Sequence, residues 1–388
     1  MIPYGKHHID EDDIQAVVDI LRSSFLTQGP AVEAFEKAVA EYVGVKYAVA
    51  VSSGTAALHL AALAAGVGPG TSVVTSPITF VASANASRYC GGDVLFADID
   101  PETVNMSPDA LREVLLKNSN VKAIIPVHFA GLPCDMVTIK NLADEAGAVV
   151  IEDAAHALGA TYLNGRRVGC CENSLMTIFS FHPVKAIAAG EGGMITTNDE
   201  AVYRRLLRLR SHGINKMNDQ FMVFDQAKTK EKLNPWYYEM QELGYHYRIT
   251  DIQCGLALSQ FKKLDKFIKR RREIAKKYDE AISNSSVFTP VQISGRENSG
   301  HHLYVLKIDF DKLGSDRASF MMSLRDKDII TQVHYMPIPM HPFYRGLGFV
   351  PDHYPNSVDY YQKCLSIPIY YSLSEHEQCF VVDAITLR

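Results

Sequence analysis

Two hydrophobic rhythms alternate between residue 31 and about residue 210. Residues 31–43 carry apolar side chains at helical spacing, and 47–51 is a short apolar run that stops at Ser52-Ser53-Gly54. Residues 56–65, rich in Ala and Leu and ended by Gly66, predict a buried helix. Short apolar runs at 72–75, 94–97, 123–127, 148–151, 177–179 and 193–196 predict strands, and a helix closes at Gly147 after 142–146. Apolar strands separated by helices imply a mostly parallel sheet covered on both faces. Ligands of such sheets collect at the carboxyl ends of the strands. Residues 52–55, Thr79-Phe80, Asp153 and the stretch after Phe179 all fall at such ends.

The rhythm changes after residue 210. Residues 211–250 are polar and then aromatic, a long excursion of the kind that often carries function. Residues 252–278 predict one long helix with Leu264, Phe267, Ile268, Ile274 and Tyr278 near one face. The basic run Lys269-Arg270-Arg271-Arg272 falls on or near the other and is expected to be solvated. From about residue 279 a smaller α/β unit follows, strand-like at 303–308 and 331–335 with a helix at 317–325 between them. The expected division is a large domain, 1–255, and a small one, 256–388.

Composition narrows the functional classes. The 388 residues are 47% hydrophobic and 21% charged, an ordinary globular balance. With 39 basic and 44 acidic residues the net charge is −5, which argues against a nucleic-acid partner. No apolar run reaches bilayer length, and the N-terminus lacks a signal peptide's pattern. Seven cysteines, an odd number without CxxC, fit a reduced, cytoplasmic setting. Neither Cys170-Cys171 nor the pairs His7-His8 and His301-His302 has metal-ligand spacing, so no metal is expected. Gly66-Val67-Gly68 follows a helix rather than a strand and is no dinucleotide fingerprint. GxSxG and GxxxxGK[ST] are absent from the sequence.

Two residues carry candidate chemistry. Asp153 ends a buried strand, where a carboxylate needs compensation. Lys185 lies among apolar and small residues, where burial lowers an amine's pKa and favours Schiff-base chemistry. A lysine and a carboxylate together describe a pyridoxal phosphate (PLP) site. Free N–H groups at the start of the 56–65 helix, with the hydroxyl of Thr55, make a phosphate cradle. Ser180 offers a second hydroxyl, and Phe80 a stacking face.

The motifs containing these residues resemble the sugar aminotransferases of the DegT/DnrJ/EryC1/StrS family. They are Ser53-Gly54-Thr55-Ala56-Ala57-Leu58, Thr79-Phe80, Glu152-Asp153-Ala154-Ala155-His156-Ala157, and Ser180-Phe181-His182-Pro183-Val184-Lys185 with Gly190-Glu191-Gly192-Gly193. Arg210-Ser211-His212-Gly213, Gly244-Tyr245-His246-Tyr247-Arg248, Val333-His334-Tyr335 and Ser366-Ile367-Pro368 match as well. Leu26-Thr27-Gln28-Gly29, Ser180-Phe181-His182 and Val333-His334-Tyr335 look closest to the pseudaminic acid branch. Its members aminate C4 of UDP-4-keto-6-deoxy-N-acetyl-β-L-altrosamine with nitrogen from L-glutamate.

The resemblance implies PLP fold type I, an α/β architecture with the large sheet between helices and a smaller C-terminal α/β domain. It also implies a homodimer with active sites at the interface. Lys185 would be the Schiff-base lysine and proton shuttle, Asp153 the partner of the pyridine nitrogen, and Phe80 the stacking ring. His156 would sit near the ring hydroxyl. Thr55, Ala56 through its backbone, and Ser180 would hold the phosphate. Tyr4, Thr27, His334 and Tyr335 match positions lining the sugar-nucleotide site, and Arg248 is a candidate for the glutamate carboxylate. Residues 236–247 would reach toward the partner's site. His246 stands where the family usually has an Asn that crosses the interface to the phosphate. A histidine still donates a hydrogen bond there, but it is bulkier. The alternatives are transfer to another nucleotide-linked 4-keto or 3-keto sugar, or a catalytically silent PLP-binding regulator. Related dehydratases replace the lysine, and Lys185 argues against that class.

Overall fold

The computed structural model describes residues 1–216, 221–230 and 232–386. Seven strands form the main sheet: β1 Tyr47–Val51, β2 Ser72–Thr75, β3 Asp93–Phe96, β4 Val121–Ile125, β5 Val149–Asp153, β6 Met176–Ser180 and β7 Gly193–Thr197. Helices α1 Glu11–Arg22, α2 Pro30–Val43, α3 Gly54–Ala64, α4 Val81–Tyr89, α5 Pro108–Lys117, α6 Met136–Glu145 and α7 Glu200–Arg210 precede and alternate with them. The spatial order is β1-β7-β6-β5-β4-β2-β3. Strands β2 to β6 run parallel, and β7 is antiparallel to both β1 and β6.

Because successive side chains on a strand face opposite ways, each strand feeds two cores. Ala48, Ala50, Ile124 and Val150 join α2, α5 and α6 on one face. Val49, Val51, Ala123, Ile125 and Ile151 join α3, α4 and α7 on the other. The result is a helix–sheet–helix sandwich. Among the described residues no helix is long and apolar enough to cross a membrane.

Three features depart from the sequence reading. The single helix expected over 252–278 is two, Asp251–Phe261 and Leu264–Ile282. The first is buried on several sides and packs against α1 and α2, while the second buries one stripe. A change of axis at Lys262-Lys263 lets each bury its own face, and Lys263 pairs there with Asp10 and Asp13. Of the basic run only Lys269 is exposed: Arg270 and Arg272 are half-buried, and Arg271 is buried because it lies on the stripe of Leu264, Phe267, Ile268, Ile274 and Tyr278. Residues 331–335 form no strand. Only Gln332 pairs, with Ser366, and the rest of the segment leaves the sheet edge to carry His334 and Tyr335 inward.

Of the excursion at 211–250, residues 217–220 and 231 lie outside the described residues. The described part holds short ribbons such as Ile214–Asn215 paired with Glu239–Met240. A three-stranded antiparallel sheet, Phe288–Pro290, Tyr304–Ile308 and Cys364–Ile367, anchors the C-terminal part. Its core includes Ile274, Tyr278 and Ile282 from the second half of the helix Leu264–Ile282, whose first half belongs to the large core. We propose the 1–255 and 256–388 division as two lobes that this helix joins.

Candidate active site

A cavity of about 470 Å³ opens at the carboxyl edge of the parallel strands. Nine of the thirteen residues singled out from sequence line it: Tyr4, Thr55, Phe80, Asp153, His156, Ser180, Lys185, His334 and Tyr335.

One wall is the start of α3. The Ser53 side chain caps this helix by accepting from the Ala56 N–H at 3.1 Å, so that N–H already has a partner within the chain. A Cβ on Gly54 would lie 2.9 Å from the Ser180 Cβ, and one on Gly193 would lie 2.4 Å from the Ser53 carbonyl oxygen. Side chain-free backbone thus brings the helix start against the end of β6 and the start of β7. The helix terminus and the hydroxyls of Thr55 and Ser180 form a small concave cradle, the geometry that suits a phosphate.

Asp153 is buried at the end of β5. Its Oδ2 accepts from Ser83 Oγ at 2.7 Å and its Oδ1 from the Ala155 N–H at 3.1 Å. These bonds orient the carboxylate and leave lone pairs for a further donor. Its neighbour Glu152 faces the other way. Glu152 accepts from Tyr162, Ser174 and Thr177 and meets His128 Nε2 at 2.8 Å. Burial opposes its charge, but these bonds outweigh it and hold the carboxyl below its usual range. The end of β5 is therefore pinned from both faces.

Lys185 follows β6 on a turn closed by its own N–H to the His182 carbonyl at 2.8 Å. Its stem is partly buried and its amine lies deep, 3.4 Å from His302 Nε2. Burial pushes the amine down to about 8. Arg271 adds to that shift and Asp153 opposes it. His156 approaches the Tyr335 hydroxyl at 3.3 Å, and its ring centre is 4.4 Å from that of His302. Burial, then the charges of Lys185 and His334, hold His156 far below its usual range. His334 bonds Ser366 Oγ at 2.8 Å, and burial with Lys185 pushes it down to about 3. Burial and then the charge of Lys185 likewise hold His302 far below its usual range, so three neutral imidazoles stand around one amine. Phe80 ends its loop at the rim and is 58% exposed, a free aromatic face over the cavity.

Thr27, Ala56, His246 and Arg248 are not in the cavity wall, and Arg248 lines a separate cleft with Gln28, Gly29 and Arg210. Thr27 bridges to Thr250, and His246 bridges to Ser211 with its ring 5.3 Å from that of His212. Sequence reading did not find Ser83 or His302. Ser83 is one serine on a helix and carried no signal. His302 belonged to a pair set aside for lacking metal spacing; the structure turns it to the cavity and its neighbour His301 to the Arg296 carbonyl.

The residues fit PLP on three counts: a depressed amine, a fixed carboxylate in the same cavity, and a cradle that a Cβ on Gly54 would close.

The model of the DegT/DnrJ/EryC1/StrS aminotransferase family matches residues 7–386. Over 99% of its length the chain is 40% identical to the spore coat polysaccharide biosynthesis protein SpsC of Bacillus subtilis, covering 96% of that protein. It is 37% identical, at the same coverage of each, to the UDP-4-amino-4,6-dideoxy-N-acetyl-β-L-altrosamine transaminase of Campylobacter jejuni. Two solved structures are similar. Helicobacter pylori PseC, an aminotransferase involved in the biosynthesis of pseudoaminic acid, aligns with a TM-score of 0.88 and 30% identity over 99% of this chain and 98% of that one. The PLP form of the putative sugar aminotransferase Spr1654 of Streptococcus pneumoniae aligns with a TM-score of 0.88 and 27% identity over 100% and 98%.

Proposed function

This chain belongs to the DegT/DnrJ/EryC1/StrS aminotransferase family, and we propose that it transfers the amino group of L-glutamate to C4 of UDP-4-keto-6-deoxy-N-acetyl-β-L-altrosamine. It is a PLP-dependent sugar aminotransferase of fold type I. The observation that carries the reading is the Lys185 amine, pushed down to about 8 in the same cavity as the fixed Asp153 carboxylate. The similarity to the Campylobacter transaminase along nearly the whole chain supports the choice of sugar.

Bound PLP supplies an electron sink for the carbon that loses or gains a proton beside the transferred nitrogen. Asp153 keeps a proton on the ring nitrogen. The start of α3, Thr55 and Ser180 bind the phosphate, and Phe80 covers the ring. Lys185 Nζ takes a proton from Cα of the donor amino acid, and in the second half returns one to the sugar carbon that has gained nitrogen. His156, uncharged, orients the ring hydroxyl. Tyr4, His334 and Tyr335 contact the sugar nucleotide. Thr27 and His246 belong to the site assembled by two copies. The exposed apolar side chains of the excursion, Trp236, Tyr238, Met240 and Leu243, support such a homodimer. The setting we propose is the cytoplasm, in line with seven free thiols.

A half-reaction screen tests this reading. PLP-loaded protein is converted with glutamate, freed of excess donor, and given keto-sugar nucleotides one at a time while the cofactor absorbance is followed. Recovery with the altrosamine precursor alone is the expected result. Recovery with another 4-keto or 3-keto sugar would keep the transaminase and move the pathway. An absorbance unmoved by glutamate, glutamine and alanine would overturn the transaminase reading.

A further inference from the structure

Behind Lys185 lies a second, much smaller cavity, shared by Lys185 and Arg271 with Lys6, His7 and His8. Arg271 is buried, yet its hydrogen bonds go to main-chain carbonyls rather than to a carboxylate. Its Nη1 donates to the carbonyls of His301, His302 and Ile369 at 3.3, 3.2 and 3.0 Å. Its Nε has no partner among the described residues. A buried charge without a counter-ion is costly, and such groups concentrate where their field is used.

The carbonyls it holds belong to the segment that carries His302 to the amine. The His302 N–H donates to the Ala130 carbonyl at 2.8 Å and the Gly300 N–H to the Gly131 carbonyl at 3.0 Å. Gly131, at φ +106°, has no room for a Cβ, which would lie 2.9 Å from the His301 nitrogen. His302 is therefore fixed by its backbone from two sides, the Ala130-Gly131 turn and Arg271.

We propose that Arg271 is a positioning residue for Lys185: it sets a cation beside the amine across the small cavity they share, and its grip on the carbonyls holds His302 against that amine. The proposal rests on Lys185 being the reactive lysine. The groups facing that amine are Asp153 from β5, His156 beyond it, Tyr4, His302, His334 and Tyr335, His182 and Glu191 in the same cavity wall, and Arg271 with Lys6, His7 and His8 from behind. Of these, Asp153 favours the charged amine and Arg271 opposes it. The imidazoles of His156, His302 and His334 stay neutral near pH 7.

The test follows PLP condensation with the full chain freed of cofactor, trapped by borohydride and counted by intact mass across pH. Arg271→Gln keeps donors for the carbonyls and loses the charge, whereas Arg271→Met loses both. The wild-type rate is expected to reach half its maximum near pH 8. Both variants should move that midpoint up by about one pH unit, and only Arg271→Met should also lower the rate reached above it. An unmoved midpoint in both variants, or a rate at high pH lowered equally in both, would overturn the proposal. Should neither variant fold, a wild-type midpoint at the ordinary lysine value of about 10.4 overturns it alone. Lys185→Ala is the control. An adduct that persists in Lys185→Ala counts against the reading of Lys185 itself. Its disappearance, with midpoints unmoved elsewhere, counts against Arg271 only.

Discussion

A lysine amine held near pH 8 in the folded chain binds fewer protons there than in the unfolded chain between about pH 8 and 10.4. Stability therefore rises with pH through that window, and below it the native state carries a penalty of about 3 kcal/mol. The return is reactivity: at pH 7 about a tenth of such amines are neutral, against about four in ten thousand for an ordinary lysine. Lys185→Met should raise the melting temperature of the cofactor-free protein at pH 7, with a gain that closes toward pH 10. A gain constant with pH would show that the charge is not its source. Loaded with PLP, Lys185→Ala should keep the cofactor only non-covalently and lose turnover. Asp153→Asn leaves the bonds to Ser83 and Ala155 a partner but removes the negative charge. Its turnover should fall on the order of a hundredfold or more, with folding retained by circular dichroism.

At the level of elements, the cradle is a contact between backbones, and the two glycines that allow it differ in kind. Gly193→Ala drives a methyl into the Ser53 carbonyl, so a loss of about 1–3 kcal/mol of stability is expected. Gly54→Ala meets the Ser180 Cβ at 2.9 Å, an atom that side-chain rotation does not move, so the end of β6 itself must shift. It should weaken PLP binding and lower the melting temperature together, as paired titration and melting curves would reveal. These elements were legible in sequence because short apolar runs punctuated by Ser, Gly and Pro report strands and their ends. The break at Lys262-Lys263 was not, since apolar spacing continues across it without Gly or Pro. Arg271 sat in plain view on the buried stripe but was masked by its basic neighbours. His302 reaches the cavity, and Ser83 the Asp153 carboxylate behind it, through tertiary packing, which one chain's periodicity does not encode. The segment carrying His334 and Tyr335 has a strand's composition, yet gives up pairing to reach the cavity.

For the whole molecule, the residues the cavity leaves out are the informative ones. Thr27 and His246 lie away from it, paired with Thr250 and Ser211, and the homodimer we propose is what would bring them to a neighbour's site. The single tryptophan, Trp236, is 71% exposed on the excursion and so reports on association. Its emission should shift to the red on dilution through the dimer dissociation range, in step with sedimentation. An emission independent of concentration would argue against burial of the excursion by a partner. His246→Asn should keep activity and preserve or raise PLP affinity; a large loss of affinity would remove His246 from the phosphate. The helix Leu264–Ile282 has one more consequence. Its first turns are built into the large core and its last turns into the small one. Neither core is complete if it frays, so heat should release both in a single calorimetric peak, and a chain cut within it should yield no independently folded fragment.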